Sequence, residues 1–350
     1  MTISRAQLDQ LTNQAKLTSN AVDAVLALTV ARPDVQAWRA FLVRLMRGAA
    51  IASLMAGVIF FVAANWQDFG VVGRFVLLQS AFVIAIALAL WRTPPATIGQ
   101  SALLVAMMLI GAMFALFGQT YQTGADVYEL FFAWAALALP LAFASQAGAN
   151  WAVWWCILNV AMALFTGFLG QDHFVWAIFN RWGVDRSAVL MAPCLVNLAG
   201  AGVFAQLAAT RFCGNAPQWL TRMLLAFGFF YGTAASMHAL VRTHRWSGET
   251  NPMSQDGQFA ALLFVAISIA ITTVTLRARR DVFPLTLIAA AWIAISTTFI
   301  ITRIISRDFD IGALFVIALW LIGTSTVASL MLMKWRREWR TPSAAAGAGA

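Results

Sequence analysis

Residues 130–171 contain no Asp, Glu, Lys or Arg. As one helix such a run would be about twice the ~30 Å thickness of a bilayer's hydrocarbon core, so it must turn back on itself. Only Ser145-Gln146-Ala147-Gly148-Ala149-Asn150 marks the turn inside it. This places one span at 129–145 and the next at 151–169. The same rule applied to the whole chain gives ten spans, roughly 48–66, 74–91, 99–117, 129–145, 151–169, 187–208, 222–241, 258–276, 283–302 and 312–333. Composition agrees: the chain is 61% hydrophobic and 11% charged, where soluble domains carry about 25% charged residues. The expectation is an all-α polytopic transmembrane bundle over residues 48–335, with the lipid bilayer as its first partner.

The charges that remain set the orientation. With the N-terminus in the cytoplasm and spans alternating, the far side receives Arg74, Arg181, Arg186, Arg242, Arg245, Arg303 and Arg307. These are 7 of the 23 basic residues, leaving 16 on the cytoplasmic side. The positive-inside bias therefore places both termini in the cytoplasm. The net charge of +9 is explained by basic residues at span ends, so it gives no reason to expect a nucleic-acid partner. Trp335 and Trp339 fit an interfacial anchor beside the basic cluster Lys334, Arg336 and Arg337. Residues 336–350 form a tail, first basic and then rich in Ala and Gly. The first apolar run begins near Gly48 after a long polar lead, so the first span is expected to serve as its own uncleaved insertion signal.

Before that span, residues 1–32 read as a cytoplasmic helical segment. Leu8, Leu11 and Ala15 share one helical side, and Val22, Val25 and Leu26 share another. Two such short helices bury little alone, which makes this segment a candidate for holding a protein partner. Arg32-Pro33 interrupts it. Residues 33–47 follow as an interfacial amphipathic helix, apolar at Val35, Trp38, Phe41, Leu42 and Leu45 and charged at Arg39, Arg44 and Arg47. Small residues at every fourth position, Gly48, Ala52 and Ala56 on the first span and Ala201, Ala205 and Ala209 on the sixth, prepare close helix approach.

Chemistry-bearing residues are sparse. Cys156, Cys194 and Cys213 are far apart, as are His173, His238 and His244, so no metal site is indicated and no cofactor is implied. No phosphate-binding loop, H-E-x-x-H or G-x-S-x-G occurs, and the longest loop, near 242–257, holds about sixteen residues, too few for an enzyme domain outside the membrane. Every charged residue falls near a span end, which counts against a pump built on an intramembrane carboxylate. Asn159, Asn197 and Gln206 are expected to make single interhelical hydrogen bonds. His238 reads as a satisfied interfacial histidine, and Pro140, Pro193 and Pro284 as sites where helices can kink.

The densest group of neutral polar residues lies between the third and fourth spans. Gln119, Tyr121, Gln122 and Asp126, with Asn65 at the end of the first span, all fall on the non-cytoplasmic side. Gly118 and Gly124 would let the backbone turn tightly there. One reading makes this a shallow ligand pocket facing the periplasm. The other has these groups satisfying one another and the free helix ends.

At Phe61-Val62-Ala63-Ala64-Asn65-Trp66, and again from Phe117 through Asp126, the chain resembles a bacterial family of predicted multi-spanning membrane proteins of unknown function. Leu130-Phe131, Trp134 and Leu139-Pro140 extend the likeness, which is clear over about residues 1–145. It implies a bacterial inner-membrane location and brings no activity. Two functions are carried forward: a carrier or lipid-handling protein with a periplasm-facing polar pocket, or a non-transporting scaffold that binds a partner through its N-terminal helices.

Overall fold

Away from water, a backbone must satisfy its own N–H and C=O groups, and a helix does so within one segment. The computed structural model follows that rule. It describes residues 35–64, 68–94, 96–121, 124, 126–168, 181, 183–207, 218–242, 253–279, 281–303 and 311–340. Of these, 92% are helical and none lies in a strand. The N-terminal helices expected over 1–32 lie outside the described residues, as does the tail beyond Arg340.

Among the described residues there are ten α-helices: α1 (Val35–Ala64), α2 (Val71–Trp91), α3 (Thr97–Tyr121), α4 (Val127–Ser145), α5 (Gly148–Phe165), α6 (Arg186–Leu207), α7 (Gln218–Arg242), α8 (Gln255–Val274), α9 (Val282–Arg303) and α10 (Ile311–Arg340). All ten are long and apolar enough to cross a membrane, and each apolar run of the sequence falls on one of them. Residues 35–47 and the first apolar run form a single unbroken helix of 30 residues. Arg, Leu and Ala are good helix formers, and Gly48 alone does not stop the helix. At ~1.5 Å per residue α1 is about 45 Å long, as is α10.

The chain divides into two compact units, Met1–Arg74 and Phe75–Ala350, parted within α2. In the first unit, Trp38 and Phe41 meet edge to face at 5.8 Å, and Phe61 meets Phe69 at 6.5 Å.

Among its described residues, the second unit has two large cores. Met107 and Ile110 of α3, Ala138 and Ala142 of α4, Trp151 and Trp155 of α5, Ala201 and Phe204 of α6, and Leu220 and Leu224 of α7 form one. Ala163, Met191, Cys194, Phe229, Tyr231, Phe264 and Ala291 join α5 to α9 in the other. Helices α5, α6 and α7 contribute to both. Glycines supply the notches. A Cβ on Gly111 would lie 2.4 Å from the Trp134 ring, one on Gly200 2.5 Å from Trp155, and one on Gly232 2.4 Å from Phe264. In lipid, where apolar burial gives helices no reason to associate, such interlocking contacts do the holding. Ala201 of the α6 small-residue stripe is 2% exposed.

Trp134 is fixed in its notch, because its Nε1–H donates to the Met107 carbonyl at 2.7 Å. Gly111→Ala therefore forces a ring that cannot swing away. We expect a net loss of about 1 kcal/mol, an overpacking cost of ~2 kcal/mol less the ~1 kcal/mol gained in helix propensity. Thermal unfolding in detergent against Gly118→Ala measures it. Gly118 has open space around its Cβ, so that control should not lose stability.

The turn marked in sequence at 145–150 is where α4 gives way to α5. Gln146 takes a left-handed φ of 50°, and Ser145 Oγ accepts the Ala147 N–H at 3.3 Å. Asn150 Nδ2 then donates to the Gln100 carbonyl at 3.0 Å, tying the start of α5 to the start of α3. Pro140 and Pro193 sit inside α4 and α6. Pro284 falls in the first turn of α9, where its missing N–H has no intrahelical partner to lose.

Candidate functional site

Of the five residues singled out between the first, third and fourth spans, Asn65 and Gln122 lie outside the described residues. Gln119 and Tyr121 are on the last turn of α3, and both are exposed. The Tyr121 ring, 58% exposed, rests 4.8 Å from Phe117 and 6.4 Å from Phe75. Thr120 spends its hydroxyl on the Leu116 carbonyl at 2.7 Å. Asp126 has extended backbone immediately before α4 and makes no side-chain cap. Its carbonyl accepts the Glu129 N–H at 3.0 Å. Among the described residues no hydrogen bond joins Gln119, Tyr121 and Asp126 to one another. Gly124 does turn the chain, at φ 67°, whereas Gly118 is an ordinary helical residue of α3.

Polar groups do converge elsewhere. Asn159 of α5 and Asn197 of α6 exchange reciprocal amide bonds, Asn159 Nδ2 to Asn197 Oδ1 at 3.0 Å and the reverse at 2.8 Å. Each Nδ2 donates its second hydrogen back to its own helix, to the Trp155 and Pro193 carbonyls, both at 2.8 Å. The Tyr231 hydroxyl of α7 donates to the Asn159 carbonyl at 3.0 Å. Three helices are thus pinned by one satisfied network, where the sequence suggested only single bonds.

A second convergence sits where α6 begins, α7 ends and α8 begins. Asp185, 7% exposed, accepts the Ser187 N–H on Oδ1 at 3.2 Å and the Ser254 hydroxyl on Oδ2 at 2.8 Å. His238 Nδ1 lies 3.7 Å from Asp185 Oδ1. The Asp185 N–H donates to Asp256 Oδ2 at 2.8 Å, and Ser254 Oγ accepts the Gly257 N–H at 3.1 Å. A Ser, a His and an Asp meet here, but the serine donates to the aspartate rather than to the histidine. Its hydroxyl is committed to capping α8, so the geometry is that of a latch and not of an activated nucleophile. The cue in sequence was a pair of ordinary caps, Asp185 two residues before Ser187 and Ser254 three before Gly257. Only the fold brings them together.

At the other end of α7, Arg222 Nη2 lies 3.3 Å from both Asp281 oxygens, and its guanidinium stands 5.4 Å from the Phe283 ring. Asp281 also caps α9 by accepting the Phe283 N–H at 3.1 Å.

Apart from the polar link, Gln119–Asp126 between α3 and α4, the second unit holds a cavity. It is a cleft of about 530 Å³ between α8, α9 and α10, within the ~300–1,000 Å³ common for ligand sites. Leu285, Ile288, Trp292, Leu319, Val327 and Met331 line it, with Thr272 and Thr324 as its hydroxyl-bearing residues. Thr324 donates to the Trp320 carbonyl at 2.7 Å, and Thr272 to Ser268 at 2.7 Å, so both hydroxyl hydrogens are already used. Beyond Thr272, α8 widens into a π-turn at Thr275–Arg279. Among the described residues no group of His, Cys, Asp or Glu could hold a metal ion.

The cleft is at the end of the unit remote from the polar link. Tyr128 at the start of α4 touches Phe165 at the end of α5, 5.5 Å between rings. The link therefore shares the end at which α5 closes and, in an alternating bundle, α6 begins. The cleft is built from the end of α8, the first three turns of α9 and the later part of α10.

Residues 2–151 match the model of a family described as a predicted membrane protein, DUF2157, whose function is unknown. The matched stretch takes in α1 to α4 and the start of α5, so the polar link falls within it and both the latch and the cleft fall outside. No curated protein and no solved structure matches the chain.

Proposed function

We propose that this chain is a bacterial inner-membrane protein that handles lipid, holding an acyl chain in the cleft between α8, α9 and α10. The cleft carries the proposal. It is apolar, its two threonines are internally satisfied, and it lies on helices whose surroundings are hydrocarbon. Water would find almost no partner there. Between membrane helices nothing analogous to the hydrophobic effect closes such a gap, so a lipid chain is its natural filling. The excess of basic residues on one side supports an orientation with both termini in the cytoplasm. The cleft would then open to the cytoplasmic leaflet rather than the periplasm. The Gln119–Asp126 link is read as turn structure, supported by Gly124 at positive φ and by the exposure of Gln119 and Tyr121.

Gly323 gives the test. It lines the cleft, and a Cβ there would meet nothing within 4 Å. Gly323→Leu fills the space with side chain while favouring the helix by up to ~1 kcal/mol. We expect the variant to melt no lower than the parent and to lose about tenfold in phospholipid retained through purification, read by native mass spectrometry. Unchanged retention would remove the cleft from the lipid reading.

A further inference from the structure

We infer that the lipid seated in this cleft is an anionic phospholipid, with its acyl chain between α9 and α10 and its phosphate against the basic residues where α8 and α10 end. The inference rests on the lipid reading above and adds the headgroup class.

The cleft-lining residues of α10 follow helical spacing: Trp320, Thr324, Val327, Met331 and Trp335. Lys334 is seven residues beyond Val327 and Arg336 four beyond Leu332, so the stripe that lines the apolar floor continues into cations. Lys334 and Arg336 are exposed. Trp335, half-buried, lines the mouth of the cleft, and indole rings prefer headgroup depth. Helix length agrees. The 30 residues of α10 exceed the ~30 Å hydrocarbon core by roughly ten residues. Its last turns therefore stand in the headgroup layer.

Across the mouth, Arg277 is exposed on the π-turn, about one turn beyond the cleft residue Thr272. The acidic residues nearby do not cancel this field. Asp281 is taken up by Arg222, and Glu338 is one carboxylate beside Lys334, Arg336 and Arg337. A phosphodiester accepts charge-assisted hydrogen bonds from ammonium and guanidinium groups. A lipid whose headgroup carries no compensating amine keeps its full charge for them.

The test uses the full chain, delipidated in neutral detergent and titrated with phosphatidylglycerol or with phosphatidylcholine of matched acyl chains, with bound lipid counted by native mass spectrometry. Phosphatidylglycerol should bind at least tenfold more tightly than phosphatidylcholine. Lys334→Gln with Arg336→Gln should weaken phosphatidylglycerol roughly fivefold per charge removed, the equivalent of about 1 kcal/mol each, and leave phosphatidylcholine unchanged. Equal binding of the two lipids, or a preference that survives the double substitution, would overturn the anionic assignment. Binding that Gly323→Leu still abolishes would then leave the lipid reading standing. Binding of both lipids that ignores Gly323→Leu would overturn both, as would a lipid-free dimer that Gly323→Leu dissociates, since that would give the cleft to a second copy of the chain.

Discussion

Asp185→Ala is expected to lower the unfolding free energy by about 2 kcal/mol. The carboxylate terminates α6 by accepting the Ser187 N–H and ties α8 to it by accepting the Ser254 hydroxyl. Removing it strands the buried Ser187 N–H, while the exposed Ser254 hydroxyl can turn to water. A lost N-cap costs roughly 0.5–2 kcal/mol, and a stranded polar group ~1–3 kcal/mol. Asp185→Asn should cost no more than about 1 kcal/mol. An amide oxygen caps a helix nearly as well as a carboxylate and can still accept one of these bonds. The comparison by denaturant or thermal unfolding in detergent separates a hydrogen-bonding role from a charge role. Equal losses in the two variants would make the charge itself, facing His238 at 3.7 Å, the important property.

Asn197→Leu should cost about 2 kcal/mol, and Asn159→Leu with Asn197→Leu should cost no more than the single change. The single substitution leaves Asn159 Oδ1 facing leucine at a site 5% exposed, without the N–H that it accepts at 2.8 Å. Replacing both amides removes the orphan, and exchanging a polar pair for apolar groups of similar size can be close to neutral. A double-mutant cycle yields the coupling directly. Interhelical hydrogen bonds in membranes average only ~0.6 kcal/mol in such cycles. A coupling well above that would reflect the four-bond arrangement rather than one bond. Simple additivity of the two losses would show that the pair does not act as a unit. Tyr231 is a control, since its hydroxyl bonds the Asn159 main chain and Tyr231→Phe should be insensitive to which residue stands at 159.

Much of the architecture is legible in the sequence. Charge-free runs fix the number and approximate limits of membrane helices because a charged group in hydrocarbon is costly and a helix is the simplest backbone solution there. Even the tight reversal between α4 and α5 was marked, by Ser145 and Gln146. The candidate site was less legible. Clustering in sequence marks Gln119–Asp126; of these, Gln119 and Tyr121 are exposed on the last turn of α3 and Asp126 stands immediately before α4. Asn159 and Asn197, by contrast, are 38 residues apart and meet face to face. The two caps Asp185 and Ser254 are 69 apart and share a hydrogen bond.

Local composition and the period of one helix set what each described segment is: an apolar helix with its basic residues at the ends. Tertiary structure alone decided which faces meet. Which tryptophan fills which glycine notch, which amide finds its mate, and where α9 and α10 fail to close on each other depend on rotations and crossing angles. A uniformly apolar helix does not encode these by hydrophobic pattern, because in lipid every face is equally soluble. The cleft is a property of that assembly, and Leu285, Gly323 and Met331 give no sign of it when read in line.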